Sequence, residues 1–452
     1  MLFISELKKR LGADKVTQNE TELYRHSKDE SPHPPVEPDV VCFPENTKDV
    51  IAIVEIADQF GVNVTPYGAG SGLEGQAIPI NKGISVDFER MNKVLDFSPE
   101  DLTVTVQPGI TRMQLNELIN KHGLQFPIDP GADASIGGMV ATNASGTTAV
   151  KYGSMRDQLL NLEIVLANGK VIRTGTRAKK SSSGYNLTGL FTGSEGTLGI
   201  VTEITLRLHG IPEHIIAARC TFDDIDTCAA AATMILQSGI PVLRMELVDA
   251  ESIATVNAYG DYDIPVAHSL FFEFAGTRGG TEEEAATAKE LMRELGCNDW
   301  EAAGTSKERA QLWKARHEMS YAYSHAEGVV VAGGDVCVPI SKLPEMVHLA
   351  RELTDASGLK SGVFGHVGDG NFHTIIAFDP NNPDERARAE QANKALARRA
   401  IEVGGTCTGE HGVGLGKRQL QQAEHGEALE IMKQMKQMLD PKNLFNPGKI
   451  FP

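Results

Sequence analysis

The chain has 452 residues, 41% of them hydrophobic and 23% charged, and a formal net charge of −17 from 43 basic and 60 acidic side chains. That length allows two or three domains with cores of their own. The acidic balance excludes a general nucleic-acid surface, which needs concentrated Lys and Arg, but leaves room for a local basic pocket that takes an anionic substrate.

The N-terminal stretch MLFISELKKRLG reads as a helix whose charges interrupt any apolar run of signal-peptide length. No segment approaches a transmembrane span, so the expectation is a cytoplasmic protein with at most a peripheral membrane contact. Six scattered cysteines, Cys42, Cys220, Cys228, Cys297, Cys337 and Cys407, form no CxxC pair and read as reduced thiols. After the extended, proline-rich Ser31–Asp39, the spacing predicts a helix over Thr47–Phe60 with Val50, Val54, Ala57 and Phe60 on one stripe. A short strand, Val62–Val64, leads into the loop PYGAGSGLEG (Pro66–Gly75), and a second strand, ISVDF, follows. A dinucleotide fold needs a helix straight after its glycine loop, so that the helix N-terminus meets the pyrophosphate. None is expected here, which points away from NAD.

Further glycine loops recur at Asp129–Gly138, Asn143–Gly153 and Gly193–Thr202, separated by strands such as TVTVQ. The hairpin LEIVLANGKVI carries Asn168-Gly169, which suits a type I′ turn. Glycine lets backbone N–H groups approach an anion closely, so four such loops in one α+β segment favour a large phosphate-bearing cofactor. Composition shifts near His209–Pro212. Beyond it, strands (IIAARCTF, LFFEFAG, GVVVAGGDVCV) alternate with helices over Asp223–Gln237, Thr281–Leu295 and Ile340–Ala356, which predicts a second α+β domain around an antiparallel sheet. A helix over Gln419–Leu439 and the tail LDPKNLFNPGKIF close the chain, with no internal repeat.

Chemistry gathers late in the sequence. In GHVGDGNFH (Gly365–His373), a two-residue turn at Asp369-Gly370 would pair Gly368 with Asn371, Val367 with Phe372 and His366 with His373. Opposed residues carry their Cβ atoms about 5 Å apart on one face. One metal ion could then bind both imidazoles, with Glu410 of GEHG as a further ligand; the other reading is a structural pair packed beside a tight turn. His411 is either a proton acceptor working near neutrality or a cap for its glycine turn. In SKERAQLWKARHEMSYAYSH, Trp313, Arg316 and Ser320 fall at i, i+3 and i+7 and are expected on one helix face. Arg316 is either a bidentate grip on a carboxylate or a solvated helix charge. Lys314 and Arg309 read as surface charges.

Together, PYGAGSGLEG, PGADASIGGMVATNASG, GSEGTLGIVTE, GHVGDGNFH, GEHGVGLGK and LDPKNLFNPGKI, in that order, resemble the FAD-linked D-2-hydroxyacid dehydrogenases of the vanillyl-alcohol oxidase and p-cresol methylhydroxylase superfamily. The nearest resemblance is to the cytochrome-type D-lactate dehydrogenase and glycolate oxidase flavin-subunit branch, over about Pro38 to Phe451. It implies an α+β fold: a p-cresol methylhydroxylase-type FAD domain of two subdomains over residues 1–210, and a substrate (cap) domain with the metal site over 211–418. A final segment, 419–452, would return to the flavin side.

By resemblance, Pro66, Tyr67, Gly68, Ala69, Gly70, Ser71, Gly72 and Leu73, with Pro130, Gly131, Ala132, Ile136, Gly137 and Gly138, would cradle the pyrophosphate. Ala141, Thr142, Asn143, Ser145, Gly146 and Thr147, with Glu195, Gly196, Gly199, Ile200 and Val201, would line the rest of the cofactor. The first loop lacks the histidine that anchors flavin covalently in some members, so FAD is expected to be non-covalent. His366, His373 and Glu410 match the family's metal ligands, Zn²⁺ or Mn²⁺ first, and His411 its base. Arg316, Ser320, His366, His373 and Asn446 are the expected substrate contacts.

Gly333 and Gly334 stand where relatives acting on D-2-hydroxyglutarate carry a basic residue, which favours a small monocarboxylate, D-lactate first. An electron acceptor of the quinone, cytochrome or electron-transferring flavoprotein kind is implied, nucleic acid is not, and a homodimer is allowed. A glycolate oxidase flavin subunit, a redox-neutral transferase of the alkylglycerone-phosphate synthase kind and a non-catalytic flavin-binding subunit stand as alternatives.

Overall fold

The computed structural model describes residues 2–325 and 328–452. The chain divides into two compact units: Met1–Ser145, Gly153–Ile211 and Glu410–Pro452 form the first, and Gly146–Tyr152 with Pro212–Gly409 form the second.

The first unit carries two main sheets. In the four-stranded one the order is Val16–Thr17, Val40–Cys42, Ile84–Asp87, Val64–Tyr67, and its last three strands run parallel. The five-stranded one runs Val94–Ser98, Thr103–Val106, Ile200–Arg207, Leu159–Val165, Val171–Arg173, antiparallel throughout. The helix Thr47–Phe60 begins and ends as its spacing predicts, capped by the Asn46 side chain. Val50, Val54 and Ala57 are buried, but Phe60 is not, because its turn is the last before Gly61 reverses the chain. The loop after Val64–Tyr67 runs to the next strand without a helix, as expected. A helix at Ile136–Thr142, opening out of the second glycine loop, was not foreseen.

The Asn168-Gly169 hairpin differs from its expected form. Val165 pairs with Val171, Leu166 N–H donates to Lys170 O at 2.9 Å, Gly169 N–H donates to Leu166 O at 2.8 Å, and of Asn168 and Gly169 only Gly169 has positive φ. The connection is therefore a three-residue loop closed by a glycine bulge rather than a two-residue type I′ turn.

The second unit is built on a seven-stranded antiparallel sheet in the order Asp299–Ala303, His214–Phe222, His268–Gly276, Arg244–Val248, Ser361–Gly365, Asn371–Phe378, Val330–Cys337. Alternation along these strands sorts their side chains between two faces. Met245, Leu247, Val363, Phe372, Ile376 and Val336 fall on one face, while Glu246, Val248, Phe364, His373, Ile375 and Asp335 fall on the other. The long helices Ile225–Gln237, Leu343–Ala356 and Pro383–Glu402 serve the first face. The second packs with Ala250–Tyr259, Ser306–His317 and Met319–Ser324 through Trp313, Met319, Tyr323, Ile253 and Val256. All six cysteines are free, and among the described residues no helix is long and apolar enough to cross a membrane.

Candidate active site

In the first unit the four glycine loops meet. A Cβ on Gly68 would lie 2.3 Å from Ser135 Oγ, and one on Gly196 would lie 2.6 Å from the Pro66 ring, so loops one and two, and one and four, touch where only glycine fits. Gly193 N–H donates to Val140 O at 2.9 Å and Glu195 N–H to Ala141 O at 2.8 Å, which ties loop four to the helix Ile136–Thr142, and a Cβ on Gly193 would lie 3.4 Å from Asn143 Cβ at the start of loop three. Among the described residues, none of the amide N–H groups from Gly68 to Leu73 has a hydrogen-bond acceptor. Amides without a protein acceptor are open to a ligand or to water. A consecutive run of them suits the charged oxygens of a pyrophosphate, so the residues present fit FAD.

Several cofactor-loop side chains hold the loops themselves. Asn143, at φ 52, accepts from Ser154 Oγ (3.2 Å) and Arg156 N–H (2.9 Å). Glu195, also left-handed, is buried, and its carboxylate accepts from Val413 N–H at 2.6 Å and Gly414 N–H at 2.9 Å. Burial pushes this carboxyl up to about 7, against those amides, Gln76 and Lys449. Asn446 is buried too. Its side-chain amide donates to Gln76 O (2.9 Å) and Glu195 O (2.8 Å), and its Oδ1 accepts from Lys449 Nζ at 3.2 Å. Those bonds lie inside the first unit and give Asn446 a structural task there. Glu410 and His411 open this unit's third segment: Ser145 Oγ donates to Glu410 Oε2 at 2.9 Å, and Gln76 Nε2 to His411 O at 2.7 Å. Of the loop-three residues, Gly146 and Thr147 belong to the second unit.

The second unit gathers the remaining candidates. The last paired residues of Arg244–Val248 and Ser361–Gly365 are Leu247 and Gly365, so the next antiparallel step sets His366 opposite Glu246. His366 Nδ1 lies 2.5 Å from Glu246 Oε1. His373 pairs with Phe364 rather than with His366, so the expected two-residue turn is replaced by a loop over Val367–Gly370 with His366 at its start. The two imidazoles nevertheless face each other, with ring centroids 5.2 Å apart at 84°. On the far side His373 Nδ1 is 3.5 Å from Asp335 Oδ1, and Asp335 accepts from Asn371 Nδ2 at 2.8 Å and Thr408 Oγ1 at 2.9 Å.

With its Nδ1 on Glu246, His366 would offer its Nε2 to a metal. This pair of imidazoles fits a divalent metal such as Zn²⁺ or Mn²⁺.

Arg316 reaches the same carboxylate from its helix. Its Nη2 and Nε lie 2.6 and 2.8 Å from Glu246 Oε2, and its guanidinium covers the Phe364 ring at 5.0 Å. Burial pushes the Glu246 carboxyl up, but His366 and Arg316 outweigh it and hold it at about 2. Ser320 does not share the face of Trp313 and Arg316. The helix stops at His317, a new one starts at Met319, and Glu318 between them takes a 2.5 Å hydrogen bond from Tyr262. Trp313 ends buried and Ser320 exposed. Glu246 itself was missed by sequence reasoning; its one signal is a lone carboxylate in the apolar run Met245-Glu246-Leu247-Val248.

A family model for the C-terminal domain of FAD linked oxidases matches residues 211–450, and one for the FAD binding domain matches 38–175. The chain is 43% identical to a probable mitochondrial D-lactate dehydrogenase of Danio rerio, covering 99% of this chain and 91% of that one. It is 42% identical to the mitochondrial D-lactate dehydrogenase [cytochrome] of Arabidopsis thaliana, over 100% of this chain and 80% of the relative. It is 34% identical to glycolate oxidase subunit GlcD of Bacillus subtilis, over 94% and 92%. Among solved structures, p-cresol methylhydroxylase with substrate bound aligns with a TM-score of 0.81 at 19% identity over 99% of this chain and 96% of that one, a likeness of fold. The chain belongs to the FAD-linked oxidases, in the group that holds these D-lactate dehydrogenases and glycolate oxidase subunits.

Proposed function

We propose that this protein oxidises a small D-2-hydroxyacid, D-lactate first, to the 2-oxoacid, and passes the electrons to a separate acceptor. The observation that carries this reading is the meeting of Arg316 and His366 on one buried carboxylate, Glu246, with His373 facing His366. That sets a cation for a carboxylate beside donors for a divalent metal, which is what a 2-hydroxyacid needs.

Arg316 turns its Nε and Nη2 toward Glu246, so its Nη1 edge takes the substrate carboxylate. His366 and His373, with Glu410, are the proposed metal ligands, and the metal would supply the Lewis acidity that lowers the pKa of the 2-hydroxyl. His411 accepts the hydroxyl proton as the C2 hydrogen leaves as hydride. Non-covalent FAD, held by the loops around Gly68–Leu73 and Ile136–Gly138, supplies the hydride acceptor when bound. Asn446 ties the chain at Gln76, just past the first glycine loop, to Glu195 in the fourth.

The relatives named for D-lactate and for glycolate oxidation make both acids test substrates. The test is the anaerobic visible spectrum of the FAD- and Mn²⁺-loaded protein, with D-lactate, L-lactate, glycolate and D-2-hydroxyglutarate added separately. Bleaching by D-lactate and not by L-lactate is expected, with His411→Ala keeping its flavin spectrum and losing the bleaching. Flavin that stays oxidised with all four acids overturns the proposal, and faster bleaching by glycolate reassigns the substrate.

A further inference from the structure

Glu246 lies outside every glycine motif, on a strand whose neighbours are apolar, and it is fully buried. A carboxylate at such a place costs several kcal/mol of desolvation unless cations or donors surround it. Here both oxygens are taken by different functional groups. Oε1 meets His366 Nδ1 at 2.5 Å, and Oε2 meets Arg316 Nη2 and Nε at 2.6 and 2.8 Å. Each contact fixes an orientation. The first holds the imidazole with Nε2 turned away from the carboxylate. The second occupies one side of the guanidinium and leaves Nη1, which has no acceptor among the described residues, as the edge for an incoming carboxylate. Phe364 under the guanidinium sets its plane.

The backbone makes this arrangement rigid. Glu246 sits in the middle of Arg244–Val248, paired on one side with Phe271, and on the other side the ladder ends at Leu247 and Gly365, one residue short of Glu246 and of His366. The carboxylate therefore rides on the sheet, while the two groups it holds arrive from a helix end and a loop.

We propose that Glu246 is a positioning residue that joins the substrate-carboxylate grip of Arg316 to the metal-facing imidazole of His366, so that the two sites are set by one group and depend on each other. This rests on the functional reading above, and it adds a residue to it that no sequence motif marks.

The experiment compares FAD-loaded wild type, E246Q, R316Q and the double variant. Mn²⁺ affinity is measured by equilibrium dialysis without substrate, and the D-lactate concentration for half-maximal flavin bleaching is measured with Mn²⁺ saturating. E246Q is expected to weaken Mn²⁺ binding by about 10–100-fold, the usual effect of losing a carboxylate behind a metal-binding histidine. It is also expected to raise the half-maximal D-lactate concentration by about tenfold or more with the flavin spectrum intact. In the R316Q background its effect on D-lactate should largely vanish, because the group it positions is gone. E246D, which keeps the charge one methylene short, should recover part of both losses.

Wild-type Mn²⁺ affinity in E246Q, or effects of E246Q and R316Q on D-lactate that simply add, would overturn the proposal. Should E246Q not fold, E246D carries the test alone: weakened Mn²⁺ and D-lactate binding supports it, and unchanged values for both overturn it. A wild type that binds Mn²⁺ but is not bleached by D-lactate sinks the functional reading, while the Mn²⁺ comparison still decides the role of Glu246 toward His366. A wild type that does neither sinks both.

Discussion

Glu195 and Lys449 show how single residues hold the glycine loops together. Both are buried, and burial drives each toward its neutral form: the carboxyl up to about 7, and the ammonium down to about 8 against the pull of Glu195. A carboxyl whose folded pKa is raised contributes stability that is fully present below its unfolded value, 4.5, and is lost as pH rises through about 7. Lys449, with a depressed value, changes its own contribution only above about pH 8. The window from pH 4.5 to 7 therefore belongs to Glu195. The flavin-free protein should lose thermal stability across that window relative to Glu195→Gln, measured by calorimetry at each pH, and parallel curves for the two proteins would contradict this. At this scale, His366, His373, Glu410, His411 and Arg316 were legible as candidates because His, Glu and Arg in glycine-bracketed or amphipathic contexts invite a chemical reading. Glu246 was not, since a lone carboxylate in an apolar strand announces burial but not its partners.

At the scale of elements, the histidine turn is the instructive case. The sequence placed an Asp-Gly turn between the imidazoles, and the rings do face each other, but the strands pair two residues out of the expected register. Gly365 explains the shift: its Cβ position would lie 2.6 Å from Phe372 Cα and 3.1 Å from His373 N, so the chain crosses itself too closely there for any side chain. The loop after it then curls back through Asp369 N–H to His366 O and Gly370 N–H to Val367 O. Gly365→Ala is expected to cost about 1–3 kcal/mol through overpacking and to weaken Mn²⁺ binding by displacing His366. A melt and a dialysis measurement on the same sample check both, and an unchanged Mn²⁺ affinity would show that the loop absorbs the methyl elsewhere. The helix break at Glu318 was equally hidden, because Arg316 to Ser320 contains no Gly or Pro and the interruption is tied down by Tyr262, distant in sequence.

At the scale of the molecule, the chain leaves its first unit after Ile211 and re-enters it at Glu410. The last residues complete a sheet at its Val64 edge, far earlier in the chain. Val64 N–H donates to Leu444 O and Asn446 N–H to Val64 O, both at 2.8 Å, which extends the four-stranded sheet at its edge. Leu444 and Phe445 are buried in the core shared with the helix Thr47–Phe60. Burying two such side chains contributes about 3–6 kcal/mol, a large part of the total stability of an ordinary domain, about 5–15 kcal/mol. Ending the chain after Pro441 should therefore abolish FAD retention and the cooperative melt of the first unit. A truncated protein that keeps stoichiometric flavin through gel filtration would refute that.

What the sequence determined by itself was local in origin. Glycine spacing marked the cofactor loops, capping and 3.6-residue periodicity set the helix Thr47–Phe60, and alternation marked the strands of the second sheet. The order of the motifs also carried the family. Only the tertiary structure decided which carboxylate stands behind His366, where Asn446 and Glu195 spend their hydrogen bonds, and which side of Arg316 faces outward. Those are outcomes of strand order and register between segments far apart in the chain. A one-residue change in such a register moves a side chain to the other face of the sheet, and no local pattern of residue types records it.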